Sequence, residues 1–153
     1  MKIGILLPPA GPQAGRFSII DIALTAENLG FDSAWMEDAL PTSSTGRGGS
    51  EKFVDSITTL AYLAASTKRI ELGITGLRLG WRDPVEIARQ LATLEILSGG
   101  RISIATNLKE KGASPRRHDQ DVEEPLEARI EAFQVLRTLW QGSPIISFSG
   151  KYY

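Results

Sequence analysis

Four short apolar runs, at residues 3–7, 33–36, 70–77 and 102–106, punctuate this 153-residue chain at nearly constant intervals. Measured from Lys2, Ser33, Arg69 and Arg101, where the runs open, the intervals are 31, 36 and 32 residues. That is the length of one strand followed by one crossover helix, and strands joined by such a crossover pair in parallel. Runs that are apolar throughout, rather than at alternate positions, are expected of parallel strands covered on both faces. The spacing therefore predicts an α/β chain of four strands alternating with four helices.

The intervening segments carry helical patterns. Ile19, Ile20, Ala23, Leu24 and Ala26 lie between residues 17 and 29, with Gly30 where a C-terminal cap belongs. Phe53, Ile57, Leu60, Ala61 and Ala64 fall on one helical face in the second interval. The third helix opens on Asp83-Pro84-Val85-Glu86. There Asp83 can cap the free N–H groups, Pro84 suits the first helical position and Glu86 can reach back as a capping-box partner. The fourth starts near Pro125 and presents Leu126, Ile130, Phe133, Leu136 and Trp140 as its apolar stripe. In the tail, strand-like residues around Ser149-Gly150 predict a small hairpin.

Composition narrows the function classes. With 17 basic and 18 acidic residues, a net charge of −1 and a pI near 5.9, bulk charge is not a means of gripping nucleic acid or an anionic membrane. The absence of cysteine excludes a disulfide scaffold, a thiolate metal site and a cysteine nucleophile. The first apolar run stops at Pro8-Pro9, too short for a signal peptide core or a membrane span, so a cytoplasmic location is expected. The length suits about one domain of about 150 residues, yet is small beside the about 250 residues of a barrel enzyme.

Ligands of parallel α/β folds bind at the carboxyl ends of the strands, and chemistry-bearing residues gather there. Glu37-Asp38 ends the second run, where carboxylates could accept protons or orient a ligand, or where Asp38 could simply begin the loop toward Pro41. Gly73 and Gly76 interrupt the third, a pattern that marks close approach of a ligand or another backbone. Asn107 and Glu110 follow the fourth, and long polar loops at 41–50 and 107–123 follow the second and fourth. Trp35, Leu77 and Trp81 suit either an apolar substrate or the core. Prolines after the first run remove the backbone donors a dinucleotide pyrophosphate needs. The stretch from Gly46 to Lys52 has the wrong spacing for a phosphate-binding loop. His118, the one histidine, reads as a solvated loop residue, and no metal site is expected.

The segment DPVEIARQLATL at 83–94, followed by LSGGR at 97–101, closely resembles the third-helix segment of the bacterial luciferase-like flavin monooxygenase family. AENLGFDSAW at 26–35 is similar to that family's first helix and second strand. LRTLWQG at 136–142, with GKYY at 150–153, resembles it again, so the likeness runs along the whole chain. It implies the (βα)4 portion of a TIM barrel: one luciferase-like domain over 1–153, truncated to the barrel's first half. It also implies an oxidoreductase or monooxygenase that oxidises a small organic substrate with FMN or F420. Carried over by position, it makes Asp38 and Glu110 catalytic and sets Glu37, Thr75, Gly76 and Asn107 against the cofactor, with a cis peptide at Thr75–Gly76.

This chain departs from the family pattern at several points. Ala39 stands where the family usually has histidine, the turn at 105–109 lacks glycine, and the second-half loops that hold the flavin phosphate have no counterpart. A catalytically inactive half-barrel that binds flavin or a protein partner is thus the alternative. A half-barrel would also expose two sheet edges and an apolar side, so a homodimer or higher assembly through those edges is expected.

Overall fold

The computed structural model describes residues 1–38, 52–79, 82–106, 125–142 and 144–153. Strands β1 (Gly4–Leu7), β2 (Ser33–Glu37), β3 (Glu71–Thr75) and β4 (Ile102–Ile104) alternate with helices α1 (Arg16–Leu29), α2 (Ser56–Ser66), α3 (Pro84–Ser98) and α4 (Leu126–Trp140). The strands form one all-parallel sheet in the order β1-β2-β3-β4. Sequential neighbours throughout mean that each crossover steps the same way along the sheet.

The chain divides into two compact units, Met1–Leu77 with Thr93–Ala105, and Arg78–Ala92 with Thr106–Tyr153. The first holds the whole sheet, α1, α2 and the end of α3. Its core is the helix-covered face of the sheet, where Leu7, Ala34, Met36, Leu72 and Ile74 are buried with Ile19, Ala23, Leu60 and Leu63.

The opposite face corrects two expectations at once. Side chains alternate along a strand, and in register they place Ser33, Trp35, Glu37, Glu71, Gly73, Thr75 and Ser103 together. Trp35 Nε1 donates to Ser33 Oγ at 2.9 Å, while the Glu71 carboxylate accepts from Ser103 Oγ and lies 3.7 Å from Lys2 Nζ. The sheet is therefore not apolar on both sides, and its open side is mixed rather than apolar. Polar residues hidden at alternate positions of the runs decide this.

At the amino ends of the strands the turn between α2 and β3 is gripped by two charges. Glu27, buried on α1, accepts from the N–H groups of Lys68, Arg69 and Ile70 at 2.9, 2.8 and 2.9 Å. Burial pushes its carboxyl upward, but these three donors and the charge of Arg69 outweigh that, and its pKa lies below the ordinary value. Arg101 takes the carbonyl side. Its guanidinium donates to Ser98 O (2.7 Å), Thr67 Oγ1 (2.9 Å), Ile70 O (3.0 Å), Ala64 O (3.0 Å) and Thr67 O (3.3 Å). A cation there also meets the negative end of the α2 dipole.

Local chemistry sets the helix starts. α2 begins at Ser56, not at Phe53, because the Asp55 carboxylate accepts from Thr58 N and Oγ1, both at 2.9 Å. Phe53 instead makes an antiparallel bridge with Ala10. Asp83 caps α3 as expected, accepting from Val85 N at 2.9 Å and Glu86 N at 3.3 Å. Glu86 turns its carboxylate to Arg89 rather than back to the cap.

The second unit contains the first half of α3, α4 and the tail. The buried side of α4 is Ala128, Glu131, Ala132, Val135 and Leu136. The expected stripe lies mostly on its flank, with Leu126, Ile130, Phe133 and Trp140 exposed by 46, 40, 37 and 41%. Trp140 Nε1 donates to Ala88 O at 3.1 Å. The tail forms no hairpin among its described residues. Tyr152 N donates to Glu131 Oε2 at 3.0 Å, and a Cβ at Gly150 would run into the Glu131 carboxylate.

Candidate active site

Pairing in the sheet continues just beyond the carboxyl ends of β2 and β3. Glu37 pairs with Thr75 in the register, and the Asp38 N–H donates to Thr75 O at 2.9 Å. Ala105 N donates to Ile74 O at 2.8 Å, and Leu77 N to Ala105 O at 3.2 Å. This rim is a rigid frame on which strand-end side chains are aimed by the pleat.

The pleat sends the two neighbouring carboxylates to opposite sides. Glu37 is exposed and shares the open face with Trp35 and Thr75. Asp38 is only 5% exposed, and its Oδ1 accepts from Ser56 Oγ at 2.8 Å. Ser56 is the first residue of α2, itself fully buried. The side chain of Asp38 thus joins the end of β2 to the start of α2. Sequence reasoning missed Ser56. Its signal was present, because a residue directly after the N-cap Asp55 belongs to a helical first turn.

The glycines of β3 and its end have separate causes. A Cβ on Gly73 would collide with the Trp35 ring, so the close approach marked by that glycine is to an indole within the same sheet. Gly76 has φ +67°, and no described residue lies within 4 Å of where its Cβ would stand. The chain leaves β3 through that left-handed residue. No cis peptide bond occurs among the described residues, so Thr75–Gly76 is trans and the expected cis bond is corrected. Leu77 is buried at 2% exposure and belongs to the core.

Ala39, Trp81, Asn107, Glu110, His118 and the polar loops at 41–50 and 107–123 lie outside the described residues. Among the described residues no group of histidine, aspartate and glutamate could hold a metal ion. No helix among them is long and apolar enough to cross a membrane. Among the described residues the rim offers an exposed acceptor at Glu37, a hydroxyl at Thr75 and no side chain against Gly76.

A family model for luciferase-like monooxygenases matches residues 1–153. The chain belongs to the luciferase-like monooxygenase family. Within it, an F420-dependent glucose-6-phosphate dehydrogenase of Nocardia farcinica is 32% identical over 146 residues, which is 92% of this chain and 42% of that protein. Pyrimidine monooxygenase RutA of Enterobacter cloacae is 31% identical over 175 residues, covering all of this chain and 46% of that one. This chain thus spans under half the length of the curated relatives it matches.

Solved structures agree on the fold. An F420-dependent secondary alcohol dehydrogenase, in complex with an F420–acetone adduct, superposes with a TM-score of 0.82 at 22% identity, over 99% of this chain and 46% of that one. The oxygenating constituent of 3,6-diketocamphane monooxygenase of Pseudomonas putida, in complex with FMN, gives 0.79 at 19% identity, over 100% and 42%. The four parallel strands and four helices are those of a luciferase-like TIM-barrel protein, matched over about half its length.

Proposed function

We propose that this chain is the first half of a flavin- or deazaflavin-dependent oxidoreductase, using FMN or F420 to oxidise a small organic substrate. The observation that carries the reading is the match of the family model to residues 1–153. The strand-end rim fits such a cofactor. Among the described residues no side chain stands against Gly76, Thr75 offers a hydroxyl and Glu37 an acceptor-only carboxylate. When bound, FMN or F420 supplies hydride-transfer chemistry that the side chains of this cysteine-free chain do not supply. The chain's part is to orient that group on the carboxyl edge of the sheet, with Glu37, Thr75 and Gly76 against it. Asn107 joins them from beyond β4 by its place in the sequence.

Among proton-handling groups, family resemblance nominates Asp38 and Glu110. The burial of Asp38 on Ser56 favours a supporting part for it, which leaves Glu110 as the acid or base. Among the described residues β1 and β4 are the edge strands, and a homo-oligomer is the form in which two copies would pair them. The second reading, an inactive module that still holds a flavin, is favoured by Ala39, which cannot transfer a proton.

Equilibrium dialysis of the purified chain against FMN, reduced FMN and F420 tests the cofactor. Retention of one of them at micromolar concentration is expected, and retention of none removes the reading. If binding is found, turnover of the bound cofactor with Ala39→His but not with Ala39 would assign the chain to the inactive class.

A further inference from the structure

We infer that the groove between the starts of α1 and α2 is a second ligand site, one that takes a small monocarboxylate with an apolar body. It lies in the helical layer of the first unit, away from the open face of the sheet, and is independent of the cofactor proposed above.

The groove encloses about 550 Å³, within the range of sites that take small organic ligands. Arg16 and Ile19 line it from α1, Thr58 and Tyr62 from α2, and Val54 and Asp55 from the residues just before α2. Side chains three or four apart share one face of a helix, so each helix presents its pair to the same space. Ile19 is buried and Val54 half-buried. With them on the wall, the lining is mostly apolar.

The polar end is built from donors. Arg16 Nε donates to the Tyr62 hydroxyl at 3.1 Å, a bond that ties one helix to the other and uses the phenol oxygen as acceptor. The phenolic proton and the two terminal nitrogens of Arg16 remain to donate, and none of them meets an acceptor among the described residues. The guanidinium carbon also stands 5.6 Å from the centroid of the Phe17 ring, which holds the cation from a second side. Guanidinium N–H and phenol O–H together match the two oxygens of one carboxylate.

Asp55 sets the charge limit. Its carboxylate is turned to the first turn of α2, accepting from Thr58 N and Oγ1, both at 2.9 Å, and it adds an acid to the same groove. A dianion such as phosphate would bring two negative charges to one cation with that acid nearby, whereas a monocarboxylate is balanced by Arg16 alone. The aliphatic wall then selects a carboxylate that carries an apolar group over a sugar acid or another polyol.

The test uses the 153-residue chain with sodium benzoate as probe, followed by amide chemical-shift titration. Benzoate should bind with a Kd of about 1 mM, the strength expected of so small a ligand, and should shift the amides of Arg16, Val54 and Tyr62. Acetate lacks the apolar body and benzyl alcohol lacks the charge, and each should bind at least about tenfold more weakly. Arg16→Ala should weaken benzoate binding about tenfold, and Tyr62→Phe about threefold, as expected for losing a charge-assisted and a neutral hydrogen bond. Both side chains are exposed, so both variants should keep the wild-type fold. Arg137→Ala removes an exposed arginine of α4 and should leave binding unchanged.

Benzyl alcohol binding as tightly as benzoate, or wild-type benzoate binding in Arg16→Ala, would overturn the carboxylate assignment. Inorganic phosphate binding more tightly than benzoate would overturn the preference for a single charge. Equal weakening by Arg137→Ala would reduce the effect to bulk charge and remove the site. So would the absence of saturable shifts at these amides up to about 20 mM benzoate, some twenty times the expected Kd.

Discussion

Where the strands begin, the charged groups Glu27 and Arg101 are taken up by the protein's own backbone; where they end, Glu37 is exposed at the rim. The amino-end pair satisfies the polar groups of one turn from both sides, N–H by carboxylate and C=O by guanidinium. Such groups, partnered within the fold, hold it together and offer nothing to a ligand. The carboxyl-end rim is arranged in the opposite sense, with a rigid backbone frame and side chains left available. In barrel enzymes the carboxyl ends are the reactive ends, and this four-stranded sheet has the same polarity.

The contrast can be broken most easily at the amino ends. Arg101→Ala leaves the carbonyls of Ala64, Thr67 and Ile70 without their donor, and should destabilise the chain by about 3 kcal/mol in urea unfolding. Glu27→Gln removes the charge from the other side and should cost about 2 kcal/mol. That second effect depends on pH. Because Glu27's pKa is lowered on folding from an ordinary value of 4.5, its contribution is complete above that value. It fades as pH falls through the lower, folded one. The stability gap between wild type and Glu27→Gln should therefore be constant from pH 7 to about 5 and shrink below about 4.5. A gap that widened in acid would contradict the hydrogen-bonded carboxylate.

Smaller effects probe the sheet between the two ends. Gly73→Ala forces a methyl against the Trp35 ring and should cost about 2 kcal/mol by overpacking. At the rim, Gly76→Ala meets no described side chain but keeps φ +67°, so the left-handed penalty of about 1 kcal/mol should appear. The smallest change in stability is expected at Glu37, whose replacement by alanine should fall within about 0.5 kcal/mol of wild type. If Glu37→Ala proved as damaging as Arg101→Ala, the two ends of the sheet would not differ in kind.

Much of the frame was legible in the spacing of the apolar runs, because a crossover one helix long joins strands that pair in parallel. The start of α3 was equally plain from Asp83-Pro84, where capping chemistry is local. What escaped depends on register and on neighbours. Gly73 was visible as an anomaly, but only pairing with Trp35 says what it accommodates. Phe53 fits a helical period that Asp55, two residues later, forbids. On α4 the large apolar residues drew attention, whereas small residues such as Ala128 and Ala132 mark the side that is buried most deeply. For the site, the sequence displayed two acids side by side; pleat and the first turn of α2 separate their roles.

Trp35 lies across the sheet with its five-membered ring beside Gly4, its six-membered ring over Gly73 and its N–H on Ser33. It shares its face with Glu37 and is only partly buried. An indole so placed is a built-in optical gauge of that face. With Trp81 and Trp140 changed to phenylalanine, its emission would report occupancy of the open side directly, in a chain whose fluorescence would otherwise average three tryptophans.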